Sequence, residues 1–203
     1  RFMKSIKKEY RNVRNTKRKL REGLIDLLKK KPASEIKVKE LCEKVDINRG
    51  TFYYHYTDIF DMINSIENEF FEDFNEILKN MNHLKRSKEE AFNILELVFK
   101  FFDNNAELSA TLIGPNGNIS FLQQLKDLVD DKCSDVWNEA GSHMEESEYE
   151  LFNSFIINGY IGLLETWLQT GRKQSPEYMA NFVAKMIIPA AVHTLALDEN
   201  TFK

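Results

Sequence analysis

Cysteine, proline and glycine are all scarce in these 203 residues, at 2, 4 and 8 copies. Cys42 and Cys133 stand too far apart for a Cys-x-x-Cys motif and are too few for a disulfide framework, so a reducing cytoplasm is the expected location. The shortage of turn formers, with no alternating β-type runs, predicts an all-α fold of long helices. No apolar run approaches the roughly 18 residues that span a bilayer, and the segment from Arg1 to Lys8 lacks the apolar core of a signal peptide, so no membrane partner is expected. Enzyme signatures are missing too. There is no His-Glu-x-x-His and no Gly-x-Ser-x-Gly, and the turn Gly114-Pro-Asn-Gly117 lacks the Lys-Ser or Lys-Thr that would make it a phosphate loop. His55, His83, His143 and His193 are scattered, and adjacent carboxylates such as Asp130-Asp131 and Glu145-Glu146 point in different directions on a helix. Neither catalysis, a metal nor a cofactor is expected.

What is present is an uneven distribution of charge. Residues 1–58 hold 17 Lys and Arg against 8 Asp and Glu, a balance of +9, whereas residues 59–203 hold 11 against 24, a balance of −13. A net charge of −4 would repel a polyanion if spread evenly; gathered this way, the basic quarter is suited to meet nucleic acid and the rest is not.

Within the basic quarter, Val38, Leu41, Cys42 and Val45 recur at i, i+3, i+4, i+7, and Ile47 opens a new apolar set two residues later. The first helix must end near Val45. Asp46 then sits where the connecting turn needs a left-handed residue, which Asp tolerates second only to Gly and Asn. Asn48 is placed to cap a second helix, Arg49 to Tyr54, that packs Phe52 and Tyr56 inward and presents Arg49, Gly50, Thr51, Tyr53, Tyr54 and His55 outward. These outward side chains can bond phosphates or base edges, and Gly50 would let the backbone come close to DNA. Cys42, on the apolar stripe, reads as a small buried residue.

The run Asn48-Arg-Gly-Thr-Phe-Tyr-Tyr-His-Tyr56 resembles the recognition helix of the TetR family of bacterial transcriptional regulators, and the resemblance extends over roughly residues 16–65. Two positions depart from the pattern: Lys37 stands where Thr or Ser usually opens the first motif helix, and Ile59 where a Lys usually follows the second. The resemblance implies a fold of about nine helices, with a three-helix head carrying the helix-turn-helix and a C-terminal bundle for ligand binding and dimerisation. Residues 1–14 would be a basic extension, 15–60 the DNA-binding domain and 61–203 the ligand-binding and dimerisation domain. It also implies double-stranded DNA, a second copy of the chain and a small-molecule effector as partners. The reading that follows is a homodimeric repressor, released from a palindromic operator by a small apolar or aromatic ligand, with a co-activator whose body binds a protein partner as the alternative. Arg49, Thr51 and the Gly50 backbone would approach bases, while Lys37, Lys39, Tyr53, Tyr54 and His55 hold phosphates.

Helical periodicity supports that count. Leu20, Leu24, Leu27 and Leu28 mark a first helix from about Asn15 to Lys31, stopped by Pro32. Asp58, with Asp61 three residues on, is placed to cap a fourth, running from Ile59 towards Met81. Further helices fit Lys88 to Asp103, Ala106 to Ile113, Ile119 to Asn138, Glu146 to Thr170 and Pro176 to Leu197, with Pro189 expected to bend or end the last. Ahead of these, Phe2, Ile6, Tyr10 and Val13 recur at helical spacing between Arg1, Lys4, Lys7, Lys8, Arg11 and Arg14. That stretch fits a helix packed on the head, a basic arm on phosphates or, less well, a membrane-surface segment.

The C-terminal part is rich in rings, which fill cores and line pockets alike. By resemblance, Phe70, Phe99, Phe102, Trp137, Phe155 and Gly159 are the candidate ligand-binding residues. Gly162, Trp167, Phe182 and Met186, on the last two helices, are the candidates for the dimer interface.

Overall fold

The computed structural model describes residues 2–79, 88–139 and 145–194, and within them the side chains of all but 2–11, 88–91, 132–139, 191, 192 and 194. These residues form nine α-helices and no strand, the expected all-α architecture. In chain order they are α1 (Phe2–Leu28), α2 (Val38–Val45), α3 (Arg49–His55), α4 (Ile59–Lys79), α5 (Lys88–Asn104), α6 (Ala106–Ile113), α7 (Ile119–Glu139), α8 (Glu146–Gln169) and α9 (Pro176–Thr194), with one 3-10 turn at Ala33–Glu35.

The first helix begins well before the expected Asn15. No proline or glycine interrupts residues 1–22, so nothing stops the helical backbone at that boundary, and the basic N-terminal stretch is one continuous helix with the head's first. Leu20, Leu24, Leu27 and Leu28 form its buried face, packed with Leu41, Cys42, Phe52 and Tyr56. Gly23 makes that packing close, because a Cβ there would lie 2.2 Å from Val45 Cγ1. Two ion pairs, Lys31–Glu40 at 2.7 Å and Lys44–Asp26 at 3.0 Å, tie α1 and the turn after it to α2 across the rim of this seam.

The turn between α2 and α3 has the geometry expected of it. Asp46 is left-handed (φ 54°, ψ 55°), and its N–H and that of Ile47 close on the Cys42 carbonyl. Asn48 caps α3 by accepting the Gly50 N–H at 2.7 Å. A reciprocal pair then starts α4: Asp58 accepts the Asp61 N–H at 2.8 Å, while Asp61 accepts the Thr57 N–H at 2.8 Å.

Helix α4 carries the core from head to body. Ile59, Met62, Ile63, Ile66, Phe70, Phe74 and Leu78 are buried along one face. Phe70 meets Phe101 (4.9 Å between ring centroids), Phe121 (5.4 Å) and Phe102 (5.8 Å), and Phe74 meets Phe101 at 5.2 Å. A second ring group forms where α5 meets α8, with Phe99 edge-on to Trp167 at 5.4 Å and beside Tyr160 at 5.7 Å. Arg172 (φ 53°), in the turn after Gly171 (φ 84°), donates to Asp103 Oδ1 at 2.6 Å and so fastens that turn to the end of α5. Pro189 does not end α9, which runs on to Thr194.

The loop after α6 reaches back to the head. Asn116 Nδ2 donates to the Leu28 carbonyl at 3.0 Å, answering one of the carbonyls that the end of α1 leaves open, and Lys29 pairs with Glu107 at 3.5 Å. Gly117 allows the loop to fold this tightly, since a Cβ there would lie 2.0 Å from the Leu112 carbonyl oxygen. Asn118 donates to Glu67 Oε2 at 3.3 Å and accepts from Ser120 at the start of α7. Glu67 is only 5% exposed and its other oxygen has no partner among the described residues; burial pushes its carboxyl above the ordinary range, against the Asn118 hydrogen bond.

Candidate nucleic-acid interface

The caps on either side of α3 fix its seven residues so that Phe52 points into the core while Arg49, Gly50, Thr51, Tyr53 and Tyr54 are exposed, Tyr54 at 78%. The ring of Phe52 packs on Tyr53 (5.5 Å) and Tyr56 (5.8 Å), which locks the rotation of the helix about its axis. The outward surface is therefore a guanidinium, two phenols, a hydroxyl and a bare stretch of backbone at Gly50, where an added Cβ would meet, among the described residues, only Asn48 Oδ1. Such a surface can take base edges and phosphates together.

His55 is half-buried where α3 nears α1. Burial, then the charge of Lys17, lowers its imidazole below the usual histidine range. It is neutral at physiological pH and offers a phosphate one hydrogen bond rather than a charge. The neighbouring Tyr56 is buried under the Lys17 ammonium, 5.8 Å from its ring, and its phenol is held protonated, chiefly by burial.

On the other side of the turn, Lys39, Glu43, Asp46, Asn48 and Arg49 line an open cleft. Lys37 and Lys39 are exposed; Lys39 stands 3.8 Å from Glu43, a solvated pair of the kind that contributes about 0–1 kcal/mol and leaves the ammonium free to move to a phosphate. Lys37 precedes α2 with no side-chain cap bond, the structural consequence of its departure from Thr or Ser. Ile59, the second departure, is 4% exposed and belongs to the core.

Of the residues expected to line a ligand site, Phe70 and Phe102 are in ring contact at 5.8 Å, while Phe99 packs on Trp167 and Tyr160 instead. Phe70, Phe99 and Phe102 are core rings packed on other side chains, and Phe155 is 75% exposed on the outer face of α8 with Gly159 beside it. Periodicity cannot separate a ring that fills a core from one that faces a cavity, which is why these were grouped. The side chain of Trp137 lies outside the described residues. Of the dimer candidates, Gly162, Phe182 and Met186 are exposed, but Trp167 is 2% exposed, wedged on Phe99 with its indole N–H donated to the Gln174 carbonyl at 3.0 Å. It supports the protomer's own core and cannot reach a partner.

Gly23, Asn116 and Asn118 were not singled out in the sequence. A glycine between apolar residues of a helix is a signal for close helix packing; the two asparagines carry no signal, because their partners lie 88 and 51 residues away.

The model of a family described as a transcriptional regulator C-terminal region of TetR type matches residues 89–189. The chain belongs to the TetR family of transcriptional regulators. Among solved structures it is similar to a TetR regulator from Streptococcus agalactiae 2603V (20% identity, 88% of this chain and 97% of that one, TM-score 0.60). It is also similar to the dihydroxyacetone kinase operon activator DhaS (18%, 86% and 95%, 0.56) and to FadR from Bacillus subtilis, solved with stearoyl-CoA (13%, 83% and 95%, 0.60). At these identities the likeness is one of fold. No curated protein matches the chain in sequence. For this TetR-family chain the motif at residues 38–56 lies ahead of the matched region, so the head and the body are identified by separate observations.

Proposed function

We propose that this TetR-family regulator acts as a homodimer that reads a two-fold operator, each protomer placing α3 in the major groove. The observation that carries this is the presentation of Arg49, Gly50, Thr51, Tyr53 and Tyr54 on a helix whose turn, cap and inward ring are all in place. The second copy is inferred from the outer faces of α8 and α9. Leu151, Phe155, Gly159 and Gly162 follow one another along α8, and Tyr178, Phe182 and Met186 along α9, all exposed and, among the described residues, with no Cβ obstacle within 4 Å of either glycine. Apolar stripes of that length are the kind a partner covers. The division into an N-terminal extension, a DNA-binding part and a ligand or dimerisation part belongs to the same proposal.

Two inputs to regulation are open to such a chain, and one observation weighs between them. Opening a site at Phe70, Phe99 or Phe102 would expose rings whose burial stabilises by about 1.5–3 kcal/mol each, a tenfold to hundredfold charge against the affinity of any small apolar ligand. Repression relieved by such a ligand, the mode a FadR solved with stearoyl-CoA brings to mind, therefore requires pocket residues other than these. The direct ring packing favours the second reading, a co-activator whose body meets a protein, in line with the activator title carried by DhaS. Random-sequence selection followed by salt titration tests the DNA reading: log K should fall with log salt at a slope of roughly −5 or steeper for a dimer neutralising several phosphates, whereas a flat response would remove it. A melting screen with acyl-CoAs and apolar aromatics separates the inputs, a hit that also releases DNA restoring the small-molecule sensor.

A further inference from the structure

Where the head's first helix meets the body, an open cleft of about 440 Å³ lies between α1, α4, the turn from α5 to α6 and the turn after α8. Arg21 lines it from α1, Asp73 from α4, Asp103, Asn104 and Glu107 from around the α5–α6 turn, and Arg172 from the turn between α8 and α9. We propose that this cleft binds a free α-amino acid, its carboxylate on Arg21 and its ammonium on Asp73, at a site that needs neither DNA nor a second copy of the chain to fill.

The chemistry of the walls selects the class. Two guanidinium groups and three carboxylates line the cleft, and its apolar lining is Ala106 and Leu108. An apolar ligand would therefore desolvate charges in return for little apolar contact. A dianion would meet the three carboxylates and a dication the two guanidiniums, whereas a molecule with one charge of each sign, a few bonds apart, can set each against its opposite. The groups left without a partner say which end goes where. Arg172 is committed, donating to Asp103 Oδ1 at 2.6 Å and to the Asp103 carbonyl at 3.2 Å, and Glu107 is drawn towards Lys29 at 3.5 Å. Asp73 and Asn104, by contrast, have no hydrogen bond or ion pair among the described residues. Asp73 is thus the free acceptor for an ammonium, with the Asn104 amide in the same cleft to share its protons. Arg21 meets Glu69 at 3.3 Å, a solvated pair too weak to hold the guanidinium against a ligand carboxylate that can take two of its N–H groups side by side. The volume lies within the roughly 300–1,000 Å³ of small-molecule sites.

Binding is read from the melting temperature of the full-length protein, without DNA, in the presence of each of the twenty protein L-amino acids in turn at about 10 mM and low salt, where exposed charges are least screened. At least one should raise it by about 3 °C or more. Calorimetry then compares that amino acid with the amine that lacks its carboxylate and the acid that lacks its ammonium. Each should bind at least about tenfold more weakly, because each leaves Arg21 or Asp73 unanswered. Asp73→Asn and Arg21→Gln should each weaken the intact amino acid about tenfold. Glu72→Gln removes an exposed charge next to Asp73 in sequence but outside the cleft, and should leave binding unchanged. Circular dichroism on each variant reports the fold; if Arg21→Gln loses stability along with its Glu69 pair, Asp73→Asn decides. No shift with any of the twenty, full binding by Asp73→Asn, or an amine that binds as well as the amino acid and so marks a plain cation site, overturns the proposal. None of these outcomes touches the DNA-binding reading, which is tested on DNA alone.

Discussion

The head and the body of this chain solve opposite problems with the same element. In the head, short helices of seven and eight residues are too small to hold their own orientation, and they are fixed by devices at their ends, the left-handed Asp46 and the Asn48 cap, with the Asp58–Asp61 pair starting the next helix. The side chains left over from that local work are polar, exposed and clustered on α3. In the body, helices of 17–24 residues, α6 excepted, are oriented by rings packed on rings, and what is left over is an apolar surface on α8 and α9. An exposed polar surface is thus built from helix ends and an exposed apolar one from helix faces.

That contrast can be broken most forcefully at the body's outer face. Replacing Phe182 and Met186 together by Glu would set two charges in an apolar seam if α9 meets a second copy there, and the protein should sediment as a monomer and lose operator binding by a hundredfold or more. A double variant that remains dimeric would place assembly elsewhere. The head is probed by Arg49→Ala, which should cost about 1–3 kcal/mol on a selected operator and distinctly less on random duplex. Equal losses on both would make Arg49 a phosphate contact and leave base reading to Thr51 and the Gly50 backbone.

The smallest effect probes the junction of the two regions, at Glu67. A carboxyl whose folded pKa is raised contributes its stability fully below the unfolded value, and that contribution is lost as pH rises through the folded value. Glu67→Gln removes this loss, so its melting temperature relative to wild type should climb as pH goes from about 4 to 8, whatever the offset at the acid end. A difference that stays constant with pH would mean that Glu67 titrates as an ordinary surface carboxyl.

The contrast also explains what could be read in advance. The turn at Asp46, the caps at Asn48 and Asp58, and the inward Phe52 and Tyr56 were legible because each is a local demand that few residue types meet. The long α1 was under-read at its start because the expected boundary followed the leucine stripe rather than any stop signal. Trp167 is buried and Phe155 exposed, against expectation, for a different reason: helical spacing marks a large apolar side chain without saying which way its helix is turned, and that is decided by neighbours such as Phe99 and the Gln174 carbonyl. Long-range polar bonds, such as Asn116 to Leu28, leave no trace in spacing at all.

That last bond gives α1 a mechanical character. The helix spans 27 residues, roughly 40 Å, and is tied at its C-terminal end to the body by the Asn116 amide and the Lys29–Glu107 pair. Tilting a rod about one end moves each point in proportion to its distance from the pivot, so a swing of about 10° shifts Thr16 by about 3 Å and the far end by about 7 Å. A hydrogen bond does not survive a displacement of about 3 Å. Because α2 and α3 are packed on α1, such a swing would carry the recognition helix with it, so the joint between α1 and the loop after α6 is where a small displacement in the body would be enlarged at the head.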